Sequence, residues 1–377
     1  MTSQQVLEDE NKILRDDITP EYFSKDHFMA IRFKIVLQEM LNYSKNCGYI
    51  ERDLEKAYSS LTKNHLDKLN FNYKDKIEKV KKGIQLNQDF YNKVASLYTP
   101  KFDYIKVTNE EYEEHRYFEE YLIRHFFMSC LMRDWTLESK PERDNNYGNV
   151  LKEVKKYFNY DDKELMKKNN YKVLVPGTGC SRMTFELAKR GFEVEANDFC
   201  YIYILTDDYL FNYSHKNEFQ FCPSIHSFSN HYTEESVIKR YAFPDVDIRD
   251  ELAKAEAKPI KFMKGDFLLL YKGKTDLFDC IVTLFFIDVS KNIIEYVEIM
   301  HDLLKKGGVW VNLGCLDYYH SRNHLSIDLT WDELRLVIQN YGFEIKNEVT
   351  GFVPYGVKEG STVSDSYGTV FFTAMKK

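Results

Sequence analysis

The chain has 377 residues, 44% of them hydrophobic, enough to fill one large domain or two modest ones without covalent staples. Lys and Arg number 52 against 59 Asp and Glu, a formal charge of −7, which argues against a protein that binds nucleic acid by neutralising phosphates. The seven cysteines form no CxxC pair, so neither a disulfide framework nor a zinc ribbon is expected, and reduced thiols in a cytosolic or nuclear setting fit best.

The opening MTSQQVLEDENK is too polar for a secretory signal. The most apolar run, LFDCIVTLFFIDV (277–289), is short and interrupted by Asp279, so no membrane span is expected. Up to about residue 165 the chain reads as helices. In HFMAIRFKIVLQEML (27–41) the apolar positions Phe28, Ile31, Ile35, Leu37 and Leu41 fall near helical spacing. IERDLEKAYSSL, KDKIEKVKKGIQLNQDFYNKVASLY and NEEYEEHRYFEEYLIRHFFMSCLMRDW continue the pattern, with charges alternating in sign as on solvated faces of amphipathic helices. SKPERDNNYGN (139–149) reads as a polar loop, and a further helix over 150–168 leads into the second part.

From Tyr171 the texture changes to short apolar runs that end at Gly, Asp or Asn. The expected strands are YKVLVP (171–176), FEVEAND (192–198), IKFMKGDF (260–267), FDCIVTLFF (278–286) and GVWVNLG (308–314), followed by the helix-like LTWDELRLVIQNYGF and two closing strands. The fold class is therefore α/β: a Rossmann-like parallel sheet (166–377) preceded by an all-helical region (1–165). Between the second and third strands lies a long insertion, 199–259, a candidate lid or substrate wall in which His226 and Asn230 of HSFSN would take part.

In VLVPGTGCSRMTFELAKRGFEVEAND (173–198), the glycines of Gly177-Thr178-Gly179 let backbone approach a ligand, and Asp198, at the end of the next strand, can accept from two ribose hydroxyls. A nucleoside-containing cofactor is implied. Dinucleotide sites want GxGxxG, but Arg182 occupies the third glycine position, which disfavours an NAD-dependent oxidoreductase. S-adenosyl-L-methionine has no phosphate and tolerates a looser turn. Gly265-Asp266-Phe267 closes the third strand, where Asp266 can bind the adenine amino group or cap a helix, and Phe267 can pack on the adenine or in the core. The order of these elements matches class I methyltransferases. His226, His231, Asp245 and Asp247 lack a metal-ligand spacing, and no metal is assigned.

The set LVPGTGCSRMTFELAKRGFEVEAND, HSFSN, FPDVD, KGDF, CIVTLFFIDVSKNIIEYVEIM and LKKGGVWVNLG resembles the carnosine N-methyltransferase family, and DHFMAIRF, IQLNQDF and MRDW extend the resemblance into the helical part. The resemblance implies methyl transfer from S-adenosyl-L-methionine to the histidine imidazole of carnosine or a related peptide. It implies that Arg133 grips the cofactor carboxylate, Gly177 lies under the methionine portion and Asp198 binds the ribose. Cys130 stands where the family commonly has glutamine and Ser181 where it has glycine, departures that bear on the cofactor's contacts.

By the same resemblance Asp288 of FFID holds the substrate imidazole, and Tyr367 with Tyr319 or His320 forms the substrate wall. Either Tyr319 or His320 stands in for the family's histidine, because two tyrosines precede His320 in LDYYH. Read without the family, Asp288 suits an N-cap for VSKNIIEYVEIM. Methylation of histidine within a protein and a catalytically silent cofactor binder are the alternatives. No nucleic-acid or membrane partner is expected, and the helical layer leaves room for a homodimer.

Overall fold

The computed structural model describes residues 27–321 and 326–377, together with the backbone of Leu14–Arg15. The helical region begins with α1 (His27–Leu41), whose Ile31, Ile35 and Leu37 are buried, whereas Phe28 and Leu41 at its two ends are exposed. Next come α2 (Gly48–Ser59) and the long α3 (Tyr73–Ser96), which Asn72 caps through Lys74 N and Asp75 N. α4 (Asn109–Tyr121) starts on a Thr108–Glu111 capping box, passes through a π-helical turn at Leu122–Phe126 and continues as α5 (Phe127–Trp135). π-turns inside α-helices are rare and concentrate at functional sites.

The five expected core strands form as β2 (Lys172–Pro176), β3 (Glu193–Asp198), β6 (Ile260–Lys264), β7 (Phe278–Leu284) and β8 (Leu304–Gly314). β9 (Phe343–Pro354) and β10 (Ser366–Lys376) close the sheet as an antiparallel pair. With the short β1 (Leu14–Arg15) the order is β1-β6-β3-β2-β7-β8-β10-β9, parallel as far as β8. β1 is an edge strand within a region expected to be wholly helical. The order reverses between β2 and β7, so a crevice opens at their carboxyl ends, where open α/β sheets take ligands.

Three expectations change. The stretch 139–149 is no loop but the start of α6 (Lys140–Phe158), with Pro141 in its first turn. Its buried face carries Glu142, Arg143 and Asn146, whose partners are remote in sequence, so its polarity does not mark exposure. The helix expected over 150–168 is two helices: α6 stops at Asn159 in the left-handed conformation, and Asp162 caps a separate helix at Lys163–Asn169. That second helix crosses the boundary drawn at 165.

The insertion 199–259 is not a free lid. It begins with α8 (Tyr201–Asn212), the crossover helix expected between parallel strands and buried at every position. The hairpin β4 (Phe219–Phe221) and β5 (Tyr241–Phe243) then packs on α3, with the rings of Phe219 and Phe243 about 5 Å from that of Phe90. His226 is tied to α1's end by Nε2 to Tyr43 Oη at 2.8 Å, and the Asn230 carbonyl accepts from Thr362 N at 2.8 Å. Phe33, Phe90 and Phe127 of the helices and Val173, Val194 and Val311 of the sheet belong to one continuous core. Among the described residues no helix is long and apolar enough to cross a membrane, and all seven cysteines are free and buried.

Candidate active site

The carboxyl ends of β2, β3, β6 and β7 bring together most of the residues singled out from the sequence. Gly177 and Gly179 both have positive φ, +61° and +56°. A Cβ on Gly177 would strike the Phe286 ring, while one on Gly179 would meet nothing within 4 Å. The turn therefore needs glycine at its floor and faces open space at its rim. Asp198 ties it to β3: Oδ2 accepts from Gly179 N at 2.9 Å, and Oδ1 accepts from Phe199 N and Cys200 N at 2.7 and 2.9 Å. A carboxylate has about four acceptor positions, so roughly one is left for a ligand rather than the two that a pair of ribose hydroxyls would use.

Ser181 is also left-handed, at φ +55°, which explains why glycine suits this position. Serine is accommodated because its hydroxyl sits between Thr178 Oγ1, at 3.1 Å, and the carboxyl of the fully buried Asp207. Burial pushes Asp207 well above the usual carboxylate range, against the hydrogen bond from Ser181. α7 (Arg182–Ala188) follows directly.

Arg133, near the end of α5, is 8% exposed and donates through Nε and Nη2 to both oxygens of Asp134, at 2.7 and 3.1 Å. Asp134 also accepts from Tyr147 Oη at 2.7 Å. The side edge of the guanidinium is thus occupied, while Nη1 has no hydrogen-bond partner among the described residues, so a second carboxylate can meet it end-on. Burial opposes the charge, but Asp134 and the surrounding hydroxyls outweigh it and hold Arg133 charged. Cys130, one turn earlier, sits with Sγ 3.6 Å from Tyr203 Oη and 3.9 Å from Tyr355 Oη, and burial keeps the thiol neutral.

Asp266 caps the short helix Phe267–Tyr271 through Leu269 N at 3.0 Å, the capping alternative. The Phe267 ring is 3% exposed and meets Phe286 and Tyr296 edge-on at 5.5 and 5.1 Å, so it belongs to the core.

Asp288 does not cap the helix that follows it. Asn292 does, accepting from Ile294 N ahead of α9 (Ile293–Leu303), while Asp288 lies in a 3₁₀ turn at Ile287–Val289. Its Oδ2 accepts from Cys315 Sγ at 3.2 Å and Asp317 N at 3.1 Å; Oδ1 accepts from neither. Its backbone oxygen accepts from Tyr319 N at 3.1 Å. The Tyr319 side chain is 60% exposed and meets His320 edge-on, while Tyr318 is buried with its hydroxyl on Leu329 O. Of the LDYYH tyrosines, then, Tyr318 is the core member and Tyr319 the surface one.

Two aromatic residues had no part in the sequence reading. Phe285, directly after β7, has φ +48°, a costly conformation for a bulky side chain and one that gathers at functional sites. Its ring lies 4.8 Å from Tyr355 and 6.2 Å from Tyr367, and those two lie 5.3 Å apart, edge to face. Burial and the nearby Cys315, Asp317, Asp365 and Asp288 push the Tyr367 hydroxyl up. Tyr355 also lies under the Arg133 guanidinium, 5.0 Å from its Cζ, and so joins the two ends of the site. The FF pair could have flagged Phe285; nothing local marks Tyr355.

Burial raises Asp288 and Asp198 to about 6 each, against hydrogen bonds that lower them. Their unfolded values lie near 4, so the native protein binds these protons more tightly and loses stability as pH rises from about 4 to 6. Asp288→Asn removes one such contribution. The melting temperature of the mutant should therefore improve relative to the parent between about pH 4.5 and pH 7, and a difference constant over that range would mean that Asp288 titrates normally.

A family profile described as carnosine N-methyltransferase matches residues 112–377. A mouse protein named carnosine N-methyltransferase is 30% identical over 333 residues, 85% of this chain and 80% of its own length. A Dictyostelium discoideum protein of that name is 26% identical over 356 residues, 91% of this chain and 76% of its own. A Drosophila melanogaster protein named carnosine N-methyltransferase unmet is 30% identical over 253 residues, 66% of this chain; the match spans about half of that relative, 54%.

Proposed function

The chain belongs to the carnosine N-methyltransferase family, and from that premise we propose that it transfers the methyl group of S-adenosyl-L-methionine to an imidazole nitrogen of carnosine or a related histidine-containing peptide. The observation that carries the choice of acceptor is Asp288: a buried carboxylate just beyond the end of β7, whose bonds from Cys315 Sγ and Asp317 N both fall on Oδ2.

The residues suit the cofactor. Gly179 opens onto free space, Arg133 keeps an end-on edge for a carboxylate, and Asp198 keeps about one acceptor position for a ribose hydroxyl. When bound, the cofactor supplies an electrophilic methyl group on a sulfonium. Asp288 Oδ1 accepts the N–H of the imidazole, which fixes the tautomer and leaves the lone pair of the other nitrogen free to attack. Its charge offsets the positive charge that grows on the ring. With its carboxyl at about 6, Asp288 is mostly ionised at pH 7, as that role requires. Neutral imidazole is already a nucleophile at this pH, so no strong base is needed. The aromatic rings hold the acceptor in line and exclude water, an orientation effect. Tyr319 and His320 take the outer part of the peptide.

The test is incubation with labelled S-adenosyl-L-methionine, carnosine and a histidine-containing protein, followed by mass analysis. Carnosine methylated on the ring is expected; label on protein histidine with carnosine untouched would overturn the small-peptide reading. For Asp198→Ala, S-adenosylhomocysteine should bind about 1–3 kcal/mol more weakly, through the lost ligand bond and the untied Gly179 turn. Calorimetry showing parental affinity in a folded mutant would remove Asp198 from the cofactor site. Reduced thiols in the cytoplasm, with some of the protein in the nucleus, complete the reading.

A further inference from the structure

FPDVD and Arg182 have no part in the mechanism above, yet they meet at one place. The last carbonyls of any α-helix lack intrahelical partners. At the end of α5, Arg133 O and Thr136 O accept from Arg143 Nη1 at 2.7 and 2.6 Å, Asp134 O accepts from Arg182 Nη1 at 2.9 Å, and Trp135 O accepts from Asp245 N at 2.8 Å. Four consecutive carbonyls are thus satisfied by only three residues. The two guanidinium groups are in turn joined by one carboxylate: Asp245 Oδ1 accepts from Arg182 at 2.7 Å and Oδ2 from Arg143 at 2.6 Å. Side chains of Arg143 and Asp245 are each 6% exposed and that of Arg182 10%. Cations at a helix C-terminus also complement its dipole.

The cap holds two parts of the proposed cofactor site together. On one side is the turn of helix that carries Arg133. On the other, Arg182 is the first residue of α7, directly after the glycine turn, and Trp135 Nε1 donates to Cys180 O at 2.7 Å across the same gap. The structure assigns to Asp245 the role of a positioning residue for cofactor binding: it sets the distance between the arginine that takes the cofactor's carboxylate and the glycine turn that takes its nucleoside. This rests on the reading of Arg133 as the carboxylate clamp. It also explains Arg182 at the position where a dinucleotide fold has its third glycine: an arginine that caps another helix replaces a residue needed for close approach.

The test is a double-mutant cycle read by S-adenosylhomocysteine calorimetry and by kinetics. Asp245→Asn offers one oxygen and turns an NH₂ toward the second guanidinium, donor against donor. Its affinity for S-adenosylhomocysteine should fall by roughly tenfold or more, the loss of one charge-assisted bond. The cofactor KM should rise with it, while kcat at saturating cofactor and KM for the imidazole acceptor stay near parental values. In an Arg133→Lys background the same substitution should cost much less, because Asp245 acts through Arg133. Full additivity, or unchanged affinity in Asp245→Asn beside a weakened Arg133→Lys, overturns the inference alone; unchanged affinity in Arg133→Lys overturns the clamp and the inference with it. If Asp245→Asn does not fold, Arg182→Lys, which keeps the charge but whose shorter stem withdraws it from the Nη1 position that serves both Asp245 Oδ1 and Asp134 O, enters the cycle with the same outcomes.

Discussion

Asp288→Asn should bind S-adenosylhomocysteine like the parent and methylate imidazole roughly ten- to a hundredfold more slowly, the loss of one charge-assisted contact of about 1.5–3 kcal/mol in the transition state. Shape is retained, and so is the local fold, because the helix cap beside it belongs to Asn292 and not to Asp288. An amide oxygen can still accept from Asp317 N, which leaves the NH₂ on the side of the acceptor, where it opposes an imidazole N–H instead of accepting from it. The growing positive charge on the ring then has no counter-charge in a buried site. Melting, cofactor affinity and single-turnover rate on one preparation decide the matter. A mutant that melts and binds normally and transfers methyl at the parental rate would end the imidazole-holding mechanism.

Arg133→Lys should raise the cofactor KM by about tenfold or more and lower the melting temperature as well. The family resemblance predicts only the first effect, since lysine lacks the planar fork that matches a carboxylate. The second comes from Asp134, which is 1% exposed and takes both of its guanidinium bonds from Arg133. A lysine can replace one of these bonds, so a buried carboxylate is left under-satisfied at a cost of about 1–3 kcal/mol. At saturating cofactor, kcat should change little, because Arg133 binds the part of the cofactor that does not react. Parental cofactor affinity together with a lowered melting point would leave Arg133 as the structural partner of Asp134 alone.

The sequence by itself determined the sheet. β2, β7 and β8 are buried on both faces, so their apolar runs stand out against any neighbour; the order of the strands came only with the fold. The sequence also determined the glycine turn and Asp198, because a backbone that must take positive φ beside an acid leaves a local pattern. The family resemblance named Asp288 and Arg133, but their partners were not legible. Polar residues on the buried face of α6 read as a loop, since pattern reading equates polarity with exposure, and only the approach of Asp245, Pro354 and Gly356 from far along the chain satisfies them. Tyr355 reads as an ordinary tyrosine until β9 and β10 carry it to Phe285 and Arg133. Asp288 looked like a helix cap because its neighbours in sequence allow it, and lost that role to Asn292 when the 3₁₀ turn aimed it at Cys315 and Asp317. Periodicity and turn chemistry are local and can be read from the chain, whereas which buried charge meets which donor is a matter of distance in three dimensions, and only the packed fold fixes that distance.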